Sequence, residues 1–449
     1  RKVALHNLGC KVNAYETEAM QQLLEAAGYE IVPFAPGADI YVINTCTVTN
    51  IADRKSRQML HRAKKMNPDA IVVAAGCYVQ AGREKAAAGC YVQAKSESDE
   101  VDDSIDIIIG NNKKQDLVSV LEAYQKGRER KEEIIDIAHT KEYEALQIDR
   151  TQEHTRAYIK VQDGCNQFCA YCMIPYARGR VRSRKTADVV KEVERLAASG
   201  CQEVVLTGIH LSSYGTERKE DGENLLTLIQ AVHQVEGIAR IRLGSLEPQI
   251  VTENFAESLS RLPKICPHFH LSLQSGCTST LKRMNRRYTA EEYEKRCDIL
   301  RKFFSRPALT TDVITGFPGE TEEEFAQSRA FVEKINFYET HIFPYSKREG
   351  TKAAVMPEQI PESVKKERSQ MLIELGRKHQ QEFMETFLGE KKEVLFEEQQ
   401  EIDGKLYWTG HTMEYLKVAM LSEENLSNQL LQVNLTEILR DGVLLGCRE

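Results

Sequence analysis

No stretch of this sequence is apolar for long enough to cross a bilayer; runs such as Ile71–Ala75 stop after a few residues. The first residues, Arg1-Lys-Val-Ala-Leu-His6, run straight into a strand-like segment and lack the apolar core of a signal peptide. A cytoplasmic protein without membrane attachment is the expectation. Twelve cysteines in 449 residues are too sparse for a disulfide scaffold. No Ser-His-Asp set or paired carboxylate stands out. Charge of one sign is lacking too: 60 Lys+Arg stand against 67 Asp+Glu, net −7, which argues against nonspecific nucleic-acid binding by the whole surface. What remains is ordinary for a globular chain of two to four domains, with 41% hydrophobic and 28% charged residues.

Local charge is less even. Arg178-Gly-Arg180-Val-Arg182-Ser-Arg184-Lys185 carries five cations in eight residues. Arg54, Lys55, Arg57, Arg62, Lys64 and Lys65 lie on an expected helix after Cys46, and Arg283, Arg286 and Arg287 form a third cluster. Each patch follows a segment with site character, which points to a phosphate-bearing substrate. Residues 386–449 run the other way, with six cations against twelve acids.

The cysteines cluster. Cys165-Asn-Gln-Phe-Cys169-Ala-Tyr-Cys172 puts three thiols on one short loop. Three are one too few for a closed tetrahedral zinc site or a fully protein-ligated 4Fe-4S cluster. A 4Fe-4S cluster on three thiolates leaves one iron open to a substrate. Zinc, with His154 or another distant residue as fourth ligand, is the alternative.

Residues 1–115 alternate strand and helix signals: strands at Lys2–Leu8, Ile40–Asn44, Ile71–Ala75 and Ile105–Ile109, helices at Glu16–Ala27 and Ala52–Met66. Apolar strands alternating with amphipathic helices imply a parallel sheet. Cys10, Cys46 and Cys77 each follow one of these strands. The carboxyl ends of parallel strands form the ligand crevice, so three strand-end thiols can converge. Gly76-Cys-Tyr-Val-Gln-Ala81 recurs as Gly89-Cys-Tyr-Val-Gln-Ala94; Cys77 is preferred to Cys90 because a strand leads into it. Residues 116–150 read as a helix and a charged linker. Residues 151–385 give six strands and six helices in βα order, an incomplete barrel with the cysteine loop after its first strand. Residues 386–449 switch to short strands of a small all-β module.

Together Asn7-Leu-Gly-Cys10-Lys-Val-Asn13, Asn44-Thr-Cys46, Gly76-Cys77-Tyr-Val-Gln80, the CxxxCxxC loop, Gln274-Ser-Gly276 and Gly316-Phe-Pro-Gly-Glu320 resemble the radical S-adenosylmethionine (SAM) methylthiotransferases along the whole chain. The resemblance implies an N-terminal methylthiotransferase domain (1–115), a radical SAM core (151–385) and a C-terminal TRAM domain (386–449). It implies two 4Fe-4S clusters, one on Cys165, Cys169 and Cys172 that cleaves SAM, and an auxiliary one on Cys10, Cys46 and Cys77 that carries sulfur. One SAM would donate methyl; a second would furnish the radical that removes hydrogen from an unactivated carbon. That bond is too strong for side-chain acid–base work.

By the same resemblance Tyr171 lies near the SAM adenine, and Gly316 and Gly319 let backbone approach it, beside the reading that they only form a Pro-Gly turn. Gly208 resembles the turn for the SAM amino and carboxylate groups, with one glycine present. Ser245 and Glu247 are placed to touch the SAM ribose, with Gln274 and Ser275 ending the next strand. Cys201, Cys266, Cys277, Cys297 and Cys447 read as structural, with Cys277 the one placed to line the pocket.

The family modifies isopentenyladenosine or threonylcarbamoyladenosine in tRNA, or an aspartate of a ribosomal protein. Gly9-Cys-Lys-Val-Asn13, Leu206-Thr-Gly-Ile-His210 and Phe343-Pro-Tyr-Ser-Lys-Arg348 resemble the threonylcarbamoyladenosine branch. The anticodon loop is then the expected partner, met by Arg180, Arg182, Arg184, Arg286, Arg287, Trp408 and Lys417. An electron donor, a sulfur source and a monomeric state complete the expectation. A noncatalytic iron–sulfur RNA-binding protein is the reading from another class.

Overall fold

The computed structural model describes residues 1–87, 104–127, 129–151 and 155–448. Cys90, the second Gly-Cys-Tyr-Val-Gln-Ala copy and His154 lie outside the described residues.

The first layer comprises β1 (Lys2–Asn7), α1 (Lys11–Ala26), β2 (Glu30–Ile31), β3 (Ile40–Thr45), α2 (Asn50–Met66), β4 (Ile71–Gly76), α3 (Cys77–Ala87), β5 (Ile107–Ile109), α4 (Leu117–Gly127) and β6 (Lys131–Glu133). The strands form one parallel sheet in the order β2-β1-β3-β4-β5-β6. Every residue of β3 and β4 is buried, because helices cover both faces. One face packs Val42, Val73 and Ile107 against Met20, Leu24 and Leu121; the other packs Tyr41, Ile43 and Val72 against Leu60 and Ala63. Strands covered twice read as unbroken apolar runs. The stretch expected as a linker is partly built into this layer, since α4 packs on it and β6 adds its edge strand.

The second layer comprises β7 (Arg156–Asp163), α5 (Ile174–Arg178), β8 (Arg182–Ser183), α6 (Thr186–Ala198), β9 (Glu203–Gly208), α7 (Leu225–His233), β10 (Arg240–Leu243), α8 (Glu253–Ser260), β11 (His268–His270), α9 (Thr278–Arg283), α10 (Ala290–Phe303), β12 (Ala308–Thr315), α11 (Glu322–Ile335), β13 (Glu339–Pro344) and α12 (Glu362–Glu385). β7, β9 and β10 are parallel neighbours, as are β11, β12 and β13. Bridges Ile241↔Ile265 and Leu246↔Leu271 join the two groups into a six-stranded open barrel. The two-residue β8 lies antiparallel on the outer edge of β7.

The third layer is a closed barrel of β14 (Lys391–Ile402), β15 (Lys405–His411), β16 (Lys417–Met420), β17 (Leu430–Arg440) and β18 (Val443–Cys447). It seals the amino end of the open barrel. Arg240 donates to the His411 and Glu393 carbonyls at 2.9 and 2.8 Å, and Arg242 to the Met413 carbonyl at 2.9 Å. Tyr415 lies between the Arg156 and Arg242 guanidinia, 5.0 and 4.6 Å from its ring centre. Glu203, fully buried, takes Arg156 at 2.5 Å and Arg242 at 2.8 Å.

The first sheet is joined to the open barrel through one carboxylate. Glu16 of α1 is fully buried and meets Arg178 of α5 at 2.5 Å, Lys114 at 2.6 Å and Lys160 of β7 at 2.8 Å. Asp163 answers the surplus cations, with Lys160 at 2.6 Å and Arg178 at 3.3 Å. Burial pushes the Glu16 carboxyl up, but the three cations outweigh it and hold it well below its ordinary value.

Glu16→Gln keeps the shape and removes the charge that three buried cations share. The variant is expected to lose about 3–5 kcal/mol of stability, read as a lower urea midpoint. Because the folded pKa is depressed, the Glu16 contribution is complete above the ordinary glutamate range near pH 4–5. It fades as pH falls further, so stability of the variant should be flatter than wild type across that acid window.

Candidate active site

The three strand-end cysteines sit side by side because β1, β3 and β4 are adjacent. Cys10 caps α1, Cys46 follows β3 directly and Cys77 opens α3. Their turns are tied together by short polar side chains. Asn13 donates to the Leu8 carbonyl at 2.7 Å and the Thr45 carbonyl at 3.0 Å, joining the Cys10 and Cys46 turns. Thr45 Oγ1 donates to the Ala75 carbonyl at 2.6 Å and accepts from the Tyr78 amide at 3.2 Å, joining the Cys46 and Cys77 turns. Gly9 has φ +115° and a side chain there would lie 3.0 Å from Cys46 Sγ, so the turn leaves room for sulfur alone.

Burial pushes the Cys10 thiol up and the Cys46 thiol to about 11, and Cys77 raises both further. Neighbouring thiols with raised pKa values ionise together only beside a strong positive charge, which a metal centre supplies. Polar donors are already in place: Arg178 Nε lies 3.1 Å and Asn111 Nδ2 3.5 Å from Cys77 Sγ.

The second triplet lies in the loop after β7, at the carboxyl end of the open barrel. The loop closes tightly, with Cys165 N donating to the Gly179 carbonyl at 3.0 Å and Ala170 N to the Met284 carbonyl at 2.9 Å. Amides of Gln167 and Ile174 point at Cys165 Sγ and Cys172 Sγ at 3.5 and 3.4 Å, and Arg286 Nη1 lies 3.2 Å from Cys169 Sγ. N–H donors to thiolate sulfur are a standard feature of iron–sulfur sites. Burial raises the Cys165 thiol to about 11 and Cys172 to about 12, with Cys169 adding to both.

The donor sets favour clusters over zinc. A single tetrahedral zinc needs its sulfurs about 3.8 Å apart, from bonds of about 2.3 Å. Among the described residues, no cysteine triplet has its sulfurs within 4.8 Å of one another; the set that tight is His270, Asp312 and His341 inside the open barrel. Thiols held wider than one ion requires, three to a site and bonded by N–H donors, fit a 4Fe-4S cluster with one open iron.

The two sites are linked through α5, whose Ala177 packs on Cys77. Arg178, three residues beyond Pro175 on the helix after the cysteine loop, reaches Cys77 Sγ, Asn13 and Glu16 of the first layer. Arg348 makes a second bridge, donating to Asp53 and Asn50 at 2.7 Å and Thr47 at 2.8 Å, next to Cys46. Sequence reasoning missed both. Arg178 lay in a run read as a phosphate patch, and Arg348 ends a motif used only to assign the branch.

Other anticipated positions lie in the cysteine loop and in turns at the strand ends of the open barrel. Tyr171 is half-buried, edge-on to Phe317 at 6.2 Å. Glu247 accepts from Arg286 at 2.5 Å, with His210 at 3.7 Å. Burial raises its carboxyl, but His210 and Arg286 together leave it below its ordinary value. Ser245 is exposed at the same strand end. Gly208 packs on Gln162, whose Oε1 would lie 2.7 Å from a side chain there. Gln274 has φ +72° and bridges to Val313; Ser275 is buried and accepts from Cys277 N at 3.2 Å. Gly316 and Gly319 bracket the turn after β12, where Glu320 accepts from Gly316 N at 2.9 Å. Cys277 is buried with its thiol 3.3 Å from Gln327.

The expected RNA-facing cations separate. Arg180 and Arg287 are exposed, with Arg180 lying 4.5 Å over the Phe168 ring. Arg182 and Arg184 are instead buried: Arg182 lies 3.7 Å from Asp163, and Arg184 pairs with buried Glu192. A cation enclosed with its counterion has no contact to offer RNA. Arg286 is likewise taken, by Glu247 and Cys169. Trp408 packs on the core of the closed barrel, and Lys417 reaches Gln400 at 2.7 Å.

Gly164, which precedes Cys165, has φ +72°, and a side chain there would lie 1.8 Å from the Arg180 carbonyl oxygen. Gly164→Ala must therefore move backbone rather than a side chain. It is expected to lower the iron content of the purified protein and its thermal midpoint together, checked by iron assay and thermal unfolding.

Comparison with known proteins follows this division. Residues 159–332 match the radical SAM superfamily model, and residues 2–88 match the model described as uncharacterized protein family UPF0004. Threonylcarbamoyladenosine tRNA methylthiotransferase MtaB of Bacillus subtilis is 40% identical, covering 96% of this chain and 93% of the relative. MtaB of Aquifex aeolicus is 42% identical over 88% and 92%. The tRNA-2-methylthio-N(6)-dimethylallyladenosine synthase of Acetivibrio thermocellus is 33% identical over 97% and 88%. Among solved structures, the radical SAM methyltransferase TsrM of Kitasatospora setae shares the fold at TM-score 0.56 and 16% identity, covering 79% of this chain and 74% of that one. The chain belongs to the radical SAM methylthiotransferase family.

Proposed function

We propose that this chain is a tRNA methylthiotransferase acting at carbon 2 of threonylcarbamoyladenosine beside the anticodon. The observation that carries the reading is the pair of three-thiol sites, one of them tied by Arg178 to the helix that follows the other. The two relatives named for that activity, at 40% and 42% identity, support the branch. With both clusters and SAM bound, the chemistry supplied is methyl transfer to sulfur, radical removal of a ring hydrogen and transfer of the methylthio group.

The chain's own residues hold and orient. Cys165, Cys169 and Cys172 hold one cluster, and Cys10, Cys46 and Cys77 the auxiliary one. Tyr171, Gly208, Ser245, Glu247, Gln274, Ser275, Gly316 and Gly319 surround SAM. The glycine-bearing turns bring backbone close, and Glu247, kept ionised by His210 and Arg286, accepts hydrogen bonds from a ribose. Arg178, Asn111 and Arg286 donate to cluster sulfurs, which stabilises the thiolate form.

The anticodon arm approaches over exposed cations. Arg180 lines a crevice of about 1130 Å³ with Lys141, Lys185 and Lys191, beside the cysteine loop. Arg287, and half-buried Lys417 and Trp408 of the closed barrel, here assigned as a TRAM module, would supply further contacts. The described residues contain no helix long and apolar enough to cross a membrane. We place the enzyme in the cytoplasm, as a monomer drawing on a separate electron donor and sulfur source.

Two measurements test this reading. Anaerobically reconstituted protein should bind about eight irons. Changing Cys10, Cys46 and Cys77 to Ser, or Cys165, Cys169 and Cys172 to Ser, should halve that count. Retention of the full count by either triple variant would displace the assigned ligands. Nucleoside mass spectrometry of tRNA from cells lacking the gene should show loss of the methylthio form, with threonylcarbamoyladenosine accumulating. Loss of the methylthio isopentenyl nucleoside instead would reassign the branch, and an unchanged profile would point to a protein substrate.

A further inference from the structure

One set of metal-ligating side chains among the described residues belongs to neither cysteine site. His270 on β11, Asp312 on β12 and His341 on β13 each bring one nitrogen or oxygen atom within 4.8 Å of the other two. The sheet register gathers them. These three strands are adjacent and parallel, with His270 opposite Thr310 and Asp312 opposite His341. Side chains alternate between the two faces of a strand. Phe269, Leu309, Val313 and Ile342 belong to the apolar core shared with α10 and α11. His270, Asp312 and His341, on the alternate positions, turn to the interior of the open barrel.

Each group is prepared to act as a ligand. His270 Nδ1 lies 3.0 Å from Thr310 Oγ1, which orients the ring and leaves Nε2 as the donor atom. Anchoring of the second ring nitrogen is the usual arrangement for a metal-bound histidine. Nε2 is buried and 3.2 Å from Asp312 Oδ2, yet it has no hydrogen-bond partner. A simple histidine–aspartate pair would align an N–H with the carboxylate. Burial raises the Asp312 carboxyl, but His270 and His341 outweigh it and hold the group below its ordinary value, so it is ionised at neutral pH. The His341 ring lies 6.0 Å from the His270 ring, tilted by 28°.

Two imidazoles and a carboxylate suit zinc with a water in its fourth position, or iron(II) and manganese(II) at higher coordination. Bonds of about 2.0–2.2 Å put ligand atoms about 3.0–3.5 Å apart, so small side-chain rotations close the set. His341 is exposed and Asp312 is 31% exposed, which leaves one side of the set open to solvent. We propose that His270, Asp312 and His341 bind one divalent transition-metal ion of the zinc or iron(II) class inside the open barrel, separate from both clusters. Its remaining positions take water or an oxygen donor of a ligand that enters the barrel.

The probe is Mn2+, which favours nitrogen and oxygen ligands over thiolates. Reconstituted enzyme is washed with EDTA under anaerobic conditions and titrated with Mn2+, and the free ion is measured by EPR. Wild type should take up one Mn2+ per chain, and Zn2+ should displace it, following the affinity order for a shared site. Pulsed EPR of the bound ion should show coupling to imidazole nitrogen. Asp312→Asn and His341→Gln should each weaken binding more than about 10-fold, and Thr310→Val, which removes only the hydroxyl that orients His270, about 10-fold. Cluster iron measured on the same samples should match wild type. His341 is exposed, so His341→Gln carries the test even where the inner substitutions disturb folding. The proposal is overturned by no saturable uptake in wild type, by uptake without nitrogen coupling, or by equal binding in wild type and His341→Gln.

Discussion

Everything at the active centre depends on one buried carboxylate. Glu16 leaves α1 and meets cations from its own layer and from the open barrel, Lys114 on one side and Arg178 and Lys160 on the other. Burying so many charges away from water is tolerable only because each is paired and hydrogen-bonded. The same geometry makes the arrangement specific, since a rigid fork of donors has few ways to satisfy a carboxylate. Arg178 is the hinge of this logic. Its guanidinium meets Glu16, Asn13 and Cys77 at once, so the position of the first layer and the surroundings of the Cys77 sulfur are set by one side chain.

A second polar lattice works at the opposite end of the open barrel. Glu203, Arg156, Arg240 and Arg242 would be unsupportable as isolated charges in an interior. They are satisfied because the closed barrel supplies carbonyls from Glu393, His411 and Met413, the Glu397 carboxylate and the face of Tyr415. The closed barrel thus partners the buried charges at the amino end of the open barrel as well as carrying exposed surface of its own.

The cysteine sites follow a simpler rule. Parallel strands place their carboxyl ends on one edge of the sheet, so a residue in the same position after three adjacent strands arrives at the same place in space. Asn13 and Thr45 then lock the turns, and the absence of a side chain at Gly9 leaves room for sulfur. In the open barrel the thiols come from a single loop, whose amides and Arg286 are aimed at the sulfurs.

Periodicity and spacing determined most of the architecture. The strands buried on both faces announced themselves as apolar runs, and the six cysteines as strand-end or CxxxCxxC positions, because these signals are local along the chain. Local signals failed where an element lacks its usual punctuation. The start of α1 at Lys11 rather than Glu16 is capped by Cys10 with no side-chain hydrogen bond, and the edge strands β2 and β6 are only two and three residues long. Charge was the least legible. Arg178, Arg182 and Arg184 look in sequence like an RNA-binding patch with Arg180, yet only Arg180 of the four is exposed. Whether a cation is solvated or buried depends on a counterion that may be nearby in the chain, as Glu192 is to Arg184, or 162 residues away, as Glu16 is to Arg178. Composition records the charges; only the folded chain brings each to its partner.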